Sequence, residues 1–89
     1  MAHDFATDKD KFETHVLMGL RDLKGIDVKR THELRTKLGY SDQSVRTIAR
    51  SLLQTAAAHG AKVTFPSPAY YDACHTVGDL VDLLYGRIR

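Results

Sequence analysis

Apolar side chains recur at helical spacing in three separate stretches, and this periodicity constrains the fold more than any other feature of the 89-residue chain. The three stripes are Phe12, Val16, Leu20 and Leu23; Val45, Ile48, Leu52 and Ala56; and Val77, Leu80, Val81 and Leu84. Residues with this spacing lie on one face of a helix, so each stripe predicts an amphipathic helix with one face to bury. We therefore predict an all-α fold with three principal helices.

Capping residues predict where these helices begin and end. The first helix begins near residue 8 and ends before Gly25, because glycine readily adopts the left-handed conformation that closes a helix. Ser41 or Asp42 can cap the second helix, and Thr76 can cap the last one. These ends leave long connections between the helices.

The connections also contain apolar residues with predicted packing roles. In residues 25–40, Ile26 and Val28 are expected to anchor the chain to the core, and Leu34 and Leu38 to share a short turn.

Residues 61–69 are predicted to form a loop, because two prolines block helix or strand continuation. In this loop Phe65 is expected to pack inward with Val63, and a short strand is possible although no partner strand is evident. One helical turn over residues 69–73 would direct Tyr70 and Tyr71 into the core.

Composition indicates one small domain, residues 8–89, after a flexible tail of residues 1–7. The hydrophobic share of 43% suffices for one modest core. Cys74 is the only cysteine, which favours a reducing compartment and a small core side chain. The chain shows neither a membrane-spanning apolar run nor a signal-peptide pattern, so we expect a cytoplasmic protein without membrane partners.

No recognisable pattern in the sequence predicts a catalytic or metal site. The five histidines lack zinc-ligand spacing, and Cys74 has no associated base or acid in a motif. Glycine-rich phosphate loops, nucleophile elbows and paired catalytic carboxylates are also missing from the sequence. We expect that the protein is not an enzyme and holds no metal.

Charge is distributed unevenly along the chain. Residues 21–62 contain nine Lys and Arg against four acidic residues, although the net charge of the whole chain is only +2. Such a basic segment can meet an acidic protein or nucleic acid, or can simply be a solvated face.

The segment from Leu38 to Val45 offers the clearest chemistry in the sequence. Ser41, Asp42 and Ser44 lie at the predicted start of the second helix. Backbone N–H groups and the helix dipole stabilise an anion there, so a serine could hold a phosphodiester. The same three residues could also serve only as helix caps.

Two longer segments resemble the acyl carrier protein family. His75-Thr76-Val77-Gly78-Asp79-Leu80-Val81-Asp82-Leu83-Leu84 is similar to the opening of that family's last helix, after a proline-containing loop. Thr31-His32-Glu33-Leu34-Arg35-Thr36-Lys37-Leu38-Gly39-Tyr40 resembles the segment before the carrier serine. The resemblance spans roughly residues 10–88 and implies an acyl-carrier-protein-like bundle of three or four helices with long connecting loops.

This resemblance implies a 4′-phosphopantetheine arm that holds an acyl or aminoacyl thioester. Ser44 is the first candidate for attachment and Ser41 the second, with Asp42 beside them. The family has Asp-Ser-Leu directly after Leu-Gly-x, whereas this chain has Ser-Asp-Gln-Ser-Val, so Ser44 fits only with inserted residues. A carrier fold that lacks the arm and acts as a protein-interaction module is therefore an alternative.

The resemblance also implies partner enzymes: a phosphopantetheinyl transferase and the acyl-transfer or synthase enzymes of fatty acid or polyketide biosynthesis. Tyr40, Val45, Arg46 and Arg50 are the candidate partner-binding residues. Carrier proteins typically present acids on the second helix, whereas this helix presents arginines, which implies an acidic partner surface.

The same region also resembles a helix-turn-helix that binds DNA. Leu34, Leu38, Gly39, Val45 and Ile48 match the apolar and turn positions of that motif without insertion. Ser44, Arg46, Thr47 and Arg50 would then face the major groove or the phosphates. Arg35 departs from the motif, because it stands where a small residue lets the two helices touch.

Overall fold

The computed structural model describes residues 8–88, and the predicted tail of residues 1–7 lies outside this range, as does Arg89. The described chain forms four helices and no strand longer than an isolated bridge. They are α1 (Lys9–Lys24), α2 (Asp42–Ala58), α3 (Pro68–Asp72) and α4 (Val77–Tyr85). The all-α fold predicted from the periodicity is confirmed.

The ends of α1 have the chemistry that the sequence predicts. Asp8 caps the helix, and its Oδ1 accepts the N–H groups of Asp10 at 3.0 Å and Lys11 at 3.3 Å. Gly25 closes the helix with a φ of 73°, a left-handed conformation that favours glycine.

A capping box fixes the start of α4. Thr76 Oγ1 accepts the N–H of Asp79 at 3.1 Å, and Asp79 Oδ2 accepts the N–H groups of His75 and Thr76 at the same distance. These backbone hydrogen bonds, from Thr76 first and His75 next, lower the pKa of the Asp79 carboxyl. The predicted cap at Thr76 is confirmed.

The connection between α1 and α2 is tied to the start of α4. His75 O accepts the N–H of Leu34 at 2.8 Å, and Arg30 O accepts the N–H of Gly78 at 2.8 Å. A Cβ on Gly78 would lie 2.9 Å from Arg30 Nε and 3.2 Å from Arg30 O, so any larger residue would require Arg30 to shift. Leu34 and Leu38, which were predicted to share a short turn, are both buried in the core.

The core contains most of the three apolar stripes and part of this connection. In the second stripe the neighbouring residues Ala49 and Leu53 are buried, whereas Ile48 and Leu52, which were predicted to face inward, are only half-buried. The buried members of the core are Phe12, Val16, Leu20, Val28, Leu34, Leu38, Val45, Ala49, Leu53, Tyr71, Cys74, Val77, Leu80, Val81 and Leu84. Helix α2 packs against α3 and α4, and α1 packs against α4. Direct backbone contact between α1 and α2 is slight, so α4 is the element that joins the two long helices.

Two apolar residues near the end of α1 are exposed, contrary to their predicted packing. Leu23 is 68% exposed and Ile26 is 43% exposed, whereas Val28 is buried. Leu23 continues the apolar stripe of α1 into its last turn, but α2 does not pack closely against it.

Two aromatic residues also differ from the prediction. Tyr71 is buried but Tyr70 is exposed, because a helix of five residues buries only one face. Arg87 lies over the exposed ring of Tyr70. Phe65 is exposed as well, while Val63 forms a single bridge with Ile88 instead of a strand.

Candidate functional site

The N-terminus of α2 contains a hydrogen-bonded pair of serines. Ser41 is the N-cap residue, and its Oγ accepts the N–H of Ser44 at 3.2 Å. The Ser41 hydroxyl also donates to Ser44 Oγ at 3.0 Å. Ser41 is exposed and Ser44 is half-buried in the first turn of the helix. The structure therefore brings the two candidate attachment serines together at one helix end.

Asp42, the acidic residue between these serines, is held in an ion pair. Arg35 Nε lies 2.5 Å from Asp42 Oδ1, and the same guanidinium donates from Nη1 to Cys74 O at 2.6 Å. Arg35 thereby links the start of α2 to the chain just after α3. Because the guanidinium balances the Asp42 carboxylate, the net charge at the helix start does not repel an anion.

Arg46 forms a bidentate ion pair with Asp72 at the end of α3. Arg46 Nε donates to Asp72 Oδ1 at 2.9 Å, and Nη2 donates to Oδ2 at 2.5 Å. The hydrogen bond from Arg46 lowers the pKa of the Asp72 carboxyl and raises the pKa of Arg46 itself. Arg46 thus links α2 to α3, a structural role that the sequence did not indicate, since it was predicted to bind a partner.

An open cleft of about 500 Å³ adjoins the serine pair. Its lining residues are Leu23, Tyr40, Ser41, Gln43, Ser44, Thr47 and Ile48. Tyr40 Oη is buried without a hydrogen-bond partner among the described residues, and burial raises the pKa of this phenol. Lys24 Nζ lies 5.0 Å from the centre of the Tyr40 ring. The cleft therefore combines hydroxyl groups, an apolar wall and a nearby cation.

The structure changes the roles expected for several site residues. Val45, predicted to bind a partner, is only 1% exposed and belongs to the core, so its side chain is not available at the surface. Tyr40, which was also predicted to bind a partner, lines the cleft beside the serine pair. Leu23 and Lys24 were not predicted at the site, because nothing in the sequence indicates that the end of α1 lies beside the start of α2.

A second cleft lies along the outer face of α2. This cleft has a volume of about 600 Å³, and its lining residues are Gln43, Arg46, Thr47, Arg50, Ser51, Gln54 and Pro68. Arg50 makes no ion pair within residues 8–88, in contrast to the fastened Arg46. Of the two arginines predicted to bind a partner, Arg50 is therefore the one whose guanidinium makes no ion pair in this part of the chain.

The region before α2 differs from a helix-turn-helix. Residues 30–38 form turns and one isolated bridge, between Glu33 and Thr76, in place of the first helix of that motif. Arg35 crosses to α3 from a turn, so its side chain does not separate two packed helices.

Comparison with known protein families, curated proteins and solved structures finds no match to this chain. In the described part of the chain, no helix is both long and apolar enough to cross a membrane.

Proposed function

We propose that this protein is a carrier that holds an acyl or aminoacyl group on a 4′-phosphopantetheine arm attached to Ser44. The observation that carries this proposal is the pair of serines at the start of α2, where both line an open cleft. Ser41 is the second candidate for attachment. The arm's terminal thiol would hold the cargo as a thioester and present it to partner enzymes in the cytoplasm.

The geometry at Ser44 suits a phosphodiester. The first-turn N–H groups of a helix lack partners within the helix, and the helix dipole adds partial positive charge at this end. A side chain in the first turn lies toward the helix N-terminus, so a phosphate on Ser44 would approach those groups. The ion pair between Arg35 and Asp42 removes the repulsion that a bare carboxylate would exert.

Ser41 is the less favourable attachment point because its Oγ already caps the helix. It accepts the N–H of Ser44, and a modified oxygen could no longer donate to Ser44 Oγ. Ser44 Oγ, by comparison, accepts the bond from Ser41 and keeps its own proton for transfer during attachment.

The partners in this proposal are a phosphopantetheinyl transferase and acyl-transfer or synthase enzymes. Tyr40, Gln43 and Thr47 surround the serines and would contact these enzymes. Arg50 extends the contact surface along α2, and no acidic residue occurs between Gln43 and Ala58 in this helix. An acidic partner surface would complement this face.

Intact mass measurement tests the attachment. After co-expression with a broad-specificity phosphopantetheinyl transferase, we expect the wild-type chain to gain the mass of one arm. Ser44→Ala should abolish the gain, whereas Ser41→Ala should retain it although the helix loses its cap. Ser51→Ala, an exposed serine two turns further along α2, is the matched control. An unmodified wild-type protein, or a gain that persists in Ser44→Ala, would reject the proposal.

A carrier fold without an arm, acting as an interaction module, is the second candidate function. The hydrogen bonds of Ser41 favour this second candidate. They show that its hydroxyl caps α2, and this capping role explains the serine without any attached arm. An unmodified wild-type chain in the mass experiment, together with Arg50-dependent binding to an acidic protein, would favour this candidate.

A further inference from the structure

Two arginines from different parts of the chain flank the short helix α3. Arg50 of α2 lines the same cleft as Pro68, the first residue of α3. Arg87, which follows α4, also lies against α3, with its guanidinium carbon 5.1 Å from the centre of the Tyr70 ring. Neither arginine forms an ion pair with any residue from 8 to 88. The fold therefore places two unpaired cations beside one short helix.

Acidic side chains are scarce around these two arginines. The sequence contains none between Asp42 and Asp72, a stretch that covers most of α2, the loop after it and most of α3. Asp72 itself is already bound by Arg46, whose hydrogen bond lowers the pKa of the Asp72 carboxyl. An anion that approaches α3 therefore meets positive charge that no carboxylate of these segments balances.

The hydroxyl of Tyr71 adds a hydrogen-bond donor beside the two cations. Tyr71 is 1% exposed, and its Oη has no hydrogen-bond partner among the described residues. Burial raises the pKa of this phenol, and the nearby charges of Arg50 and Arg87 oppose that rise. A buried hydroxyl without a partner is unusual, because it has given up its hydrogen bonds to water without replacement. The phenol and the two guanidiniums thus favour the same kind of ligand, one with negatively charged oxygen atoms.

We propose that Arg50, Arg87 and the Tyr71 hydroxyl form a binding site for a phosphate group, either inorganic phosphate or a phosphate monoester. A phosphate dianion balances both positive charges, and its oxygens accept hydrogen bonds from both guanidiniums and from the phenol. A carboxylate carries one negative charge and would balance only one of the two arginines. Because neither guanidinium is held by an acidic residue from 8 to 88, the two long side chains can move to admit the phosphate to the phenol.

Titration with inorganic phosphate and with acetate tests the site. The isotope-labelled, unmodified chain is followed by NMR at constant ionic strength, so that general screening of charge does not change. We expect phosphate to shift the signals of Arg50, Tyr71 and Arg87 and to bind about tenfold more tightly than acetate. Shifts confined to other residues would overturn the assignment. Equal affinity for the two anions would also overturn it, because a carboxylate of a partner protein would then fit equally well.

Ribose 5-phosphate and ribose distinguish the two sources of the phosphate group. Tighter binding of ribose 5-phosphate than of inorganic phosphate would assign the site to a phosphate monoester, and weaker binding would assign it to the free ion. Uncharged ribose should cause no shift at the three residues. If ribose bound as tightly as its phosphate, the phosphate group would not be the feature that the protein recognises, and the proposal would be rejected.

Tyr71→Phe is the most specific variant, because it removes one oxygen and keeps the buried ring. We expect it to weaken phosphate binding about tenfold while the chain stays folded, since that oxygen has no partner within residues 8–88. Arg87→Met should also weaken binding, because it removes one of the two charges. Arg21→Met, at an exposed arginine of α1, is the matched control and should bind phosphate as the wild type does. Undiminished binding in both Tyr71→Phe and Arg87→Met would overturn the proposal.

The phosphate site and the arm proposed for Ser44 can fail separately, because no residue of this site lines the cleft beside the serine pair. Arg50 also belongs to the proposed partner-binding surface, whereas Arg87 and Tyr71 do not, so variants of these two residues separate the site from that surface. Phosphate binding by a chain that gains no arm would reject the proposed function and support the site. Arm attachment to a chain that does not bind phosphate would reject the site alone.

Discussion

The two flanks of α2 differ in how they are packed. On the flank toward α3 and α4, Ala49 and Leu53 are buried, and Arg46 is fastened to Asp72. On the flank toward α1, a groove of about 320 Å³ separates the helices, and Leu23 remains largely exposed. One flank therefore holds α2 in place, while the other leaves apolar surface uncovered.

This difference shows how a small domain can combine a stable core with space for a ligand. Because both long helices pack against α4, α1 and α2 need not pack directly on each other. The serine pair lies where the open groove meets the N-terminus of α2. If the two flanks differ in energy as they do in geometry, substitutions on them should change stability by different amounts.

The largest expected difference is between two leucines on opposite flanks. Leu53→Ala should lower the free energy of unfolding by about 2–5 kcal/mol, because the buried site loses methyl groups and gains a cavity. Leu23→Ala should change it by only about 0.5 kcal/mol or less, because Leu23 is mostly exposed. Urea denaturation followed by circular dichroism measures both values, and equal losses would contradict the described packing.

Two helix glycines provide the next comparison. Gly78→Ala should cost about 1–3 kcal/mol, because its Cβ would displace Arg30 from Glu13 and Asp82. Gly19→Ala should instead stabilise the protein by about 0.5–1 kcal/mol, because alanine favours helix and meets no neighbouring atom. Thermal unfolding of the two variants would show shifts of opposite sign, and a destabilised Gly19→Ala protein would mean that the groove is not open.

The smallest expected difference is between the two arginines on α2. Arg46→Met should lower stability at neutral pH more than Arg50→Met, because within residues 8–88 Arg46 is paired with a carboxylate and Arg50 is not. Folding lowers the pKa of Asp72 below its usual value of about 3.9, so the pair contributes above that pH. The contribution of the Arg46–Asp72 pair to the free energy of unfolding disappears as the pH falls through the folded-state pKa of Asp72.

Urea midpoints measured from pH 7 down through the folded-state pKa of Asp72 should therefore bring the wild-type and Arg46→Met stabilities together. The variant Asp72→Asn, combined with Arg46→Met in a double-mutant cycle, isolates the pairwise energy. A gap that stays constant with pH would assign the Arg46 effect to packing instead of charge.

Local chemistry predicted the helices and their ends well. The apolar stripes, the cap at Thr76 and the stop at Gly25 depend on neighbours within a few residues. The cap and the stop are confirmed, and the stripes are confirmed except at Leu23, which is exposed, and at Ile48 and Leu52, which are only half-buried. Tyr71 and Cys74 are buried as predicted, whereas Tyr70 and Phe65 are not. In segments shorter than a full helical period, the sequence does not show which of two apolar side chains will be buried against the rest of the protein.

The candidate site was predictable only in part. Its serines could be located because caps and a helix start are visible in the sequence. The roles of Arg35 and Arg46 could not be predicted, since all of their acceptors lie 26 to 39 positions away along the chain, except Asp42, which lies seven positions from Arg35. Lys24 and Leu23 likewise reach the site only because the fold brings the end of α1 beside α2.

By itself, the sequence determined an all-α chain, the start of α2 at the serines and most of the core. These features follow from periodicity and capping, which act over a few residues. The tertiary structure decided that Val45 is buried and that a groove stays open beside Gly19. It also decided that Arg46 is paired with Asp72, whereas Arg50 has no ion pair in the part of the chain that the structure describes. The physical reason is that such features depend on which helices pack together, and in this protein α4 packs against both long helices while direct backbone contact between those two is slight.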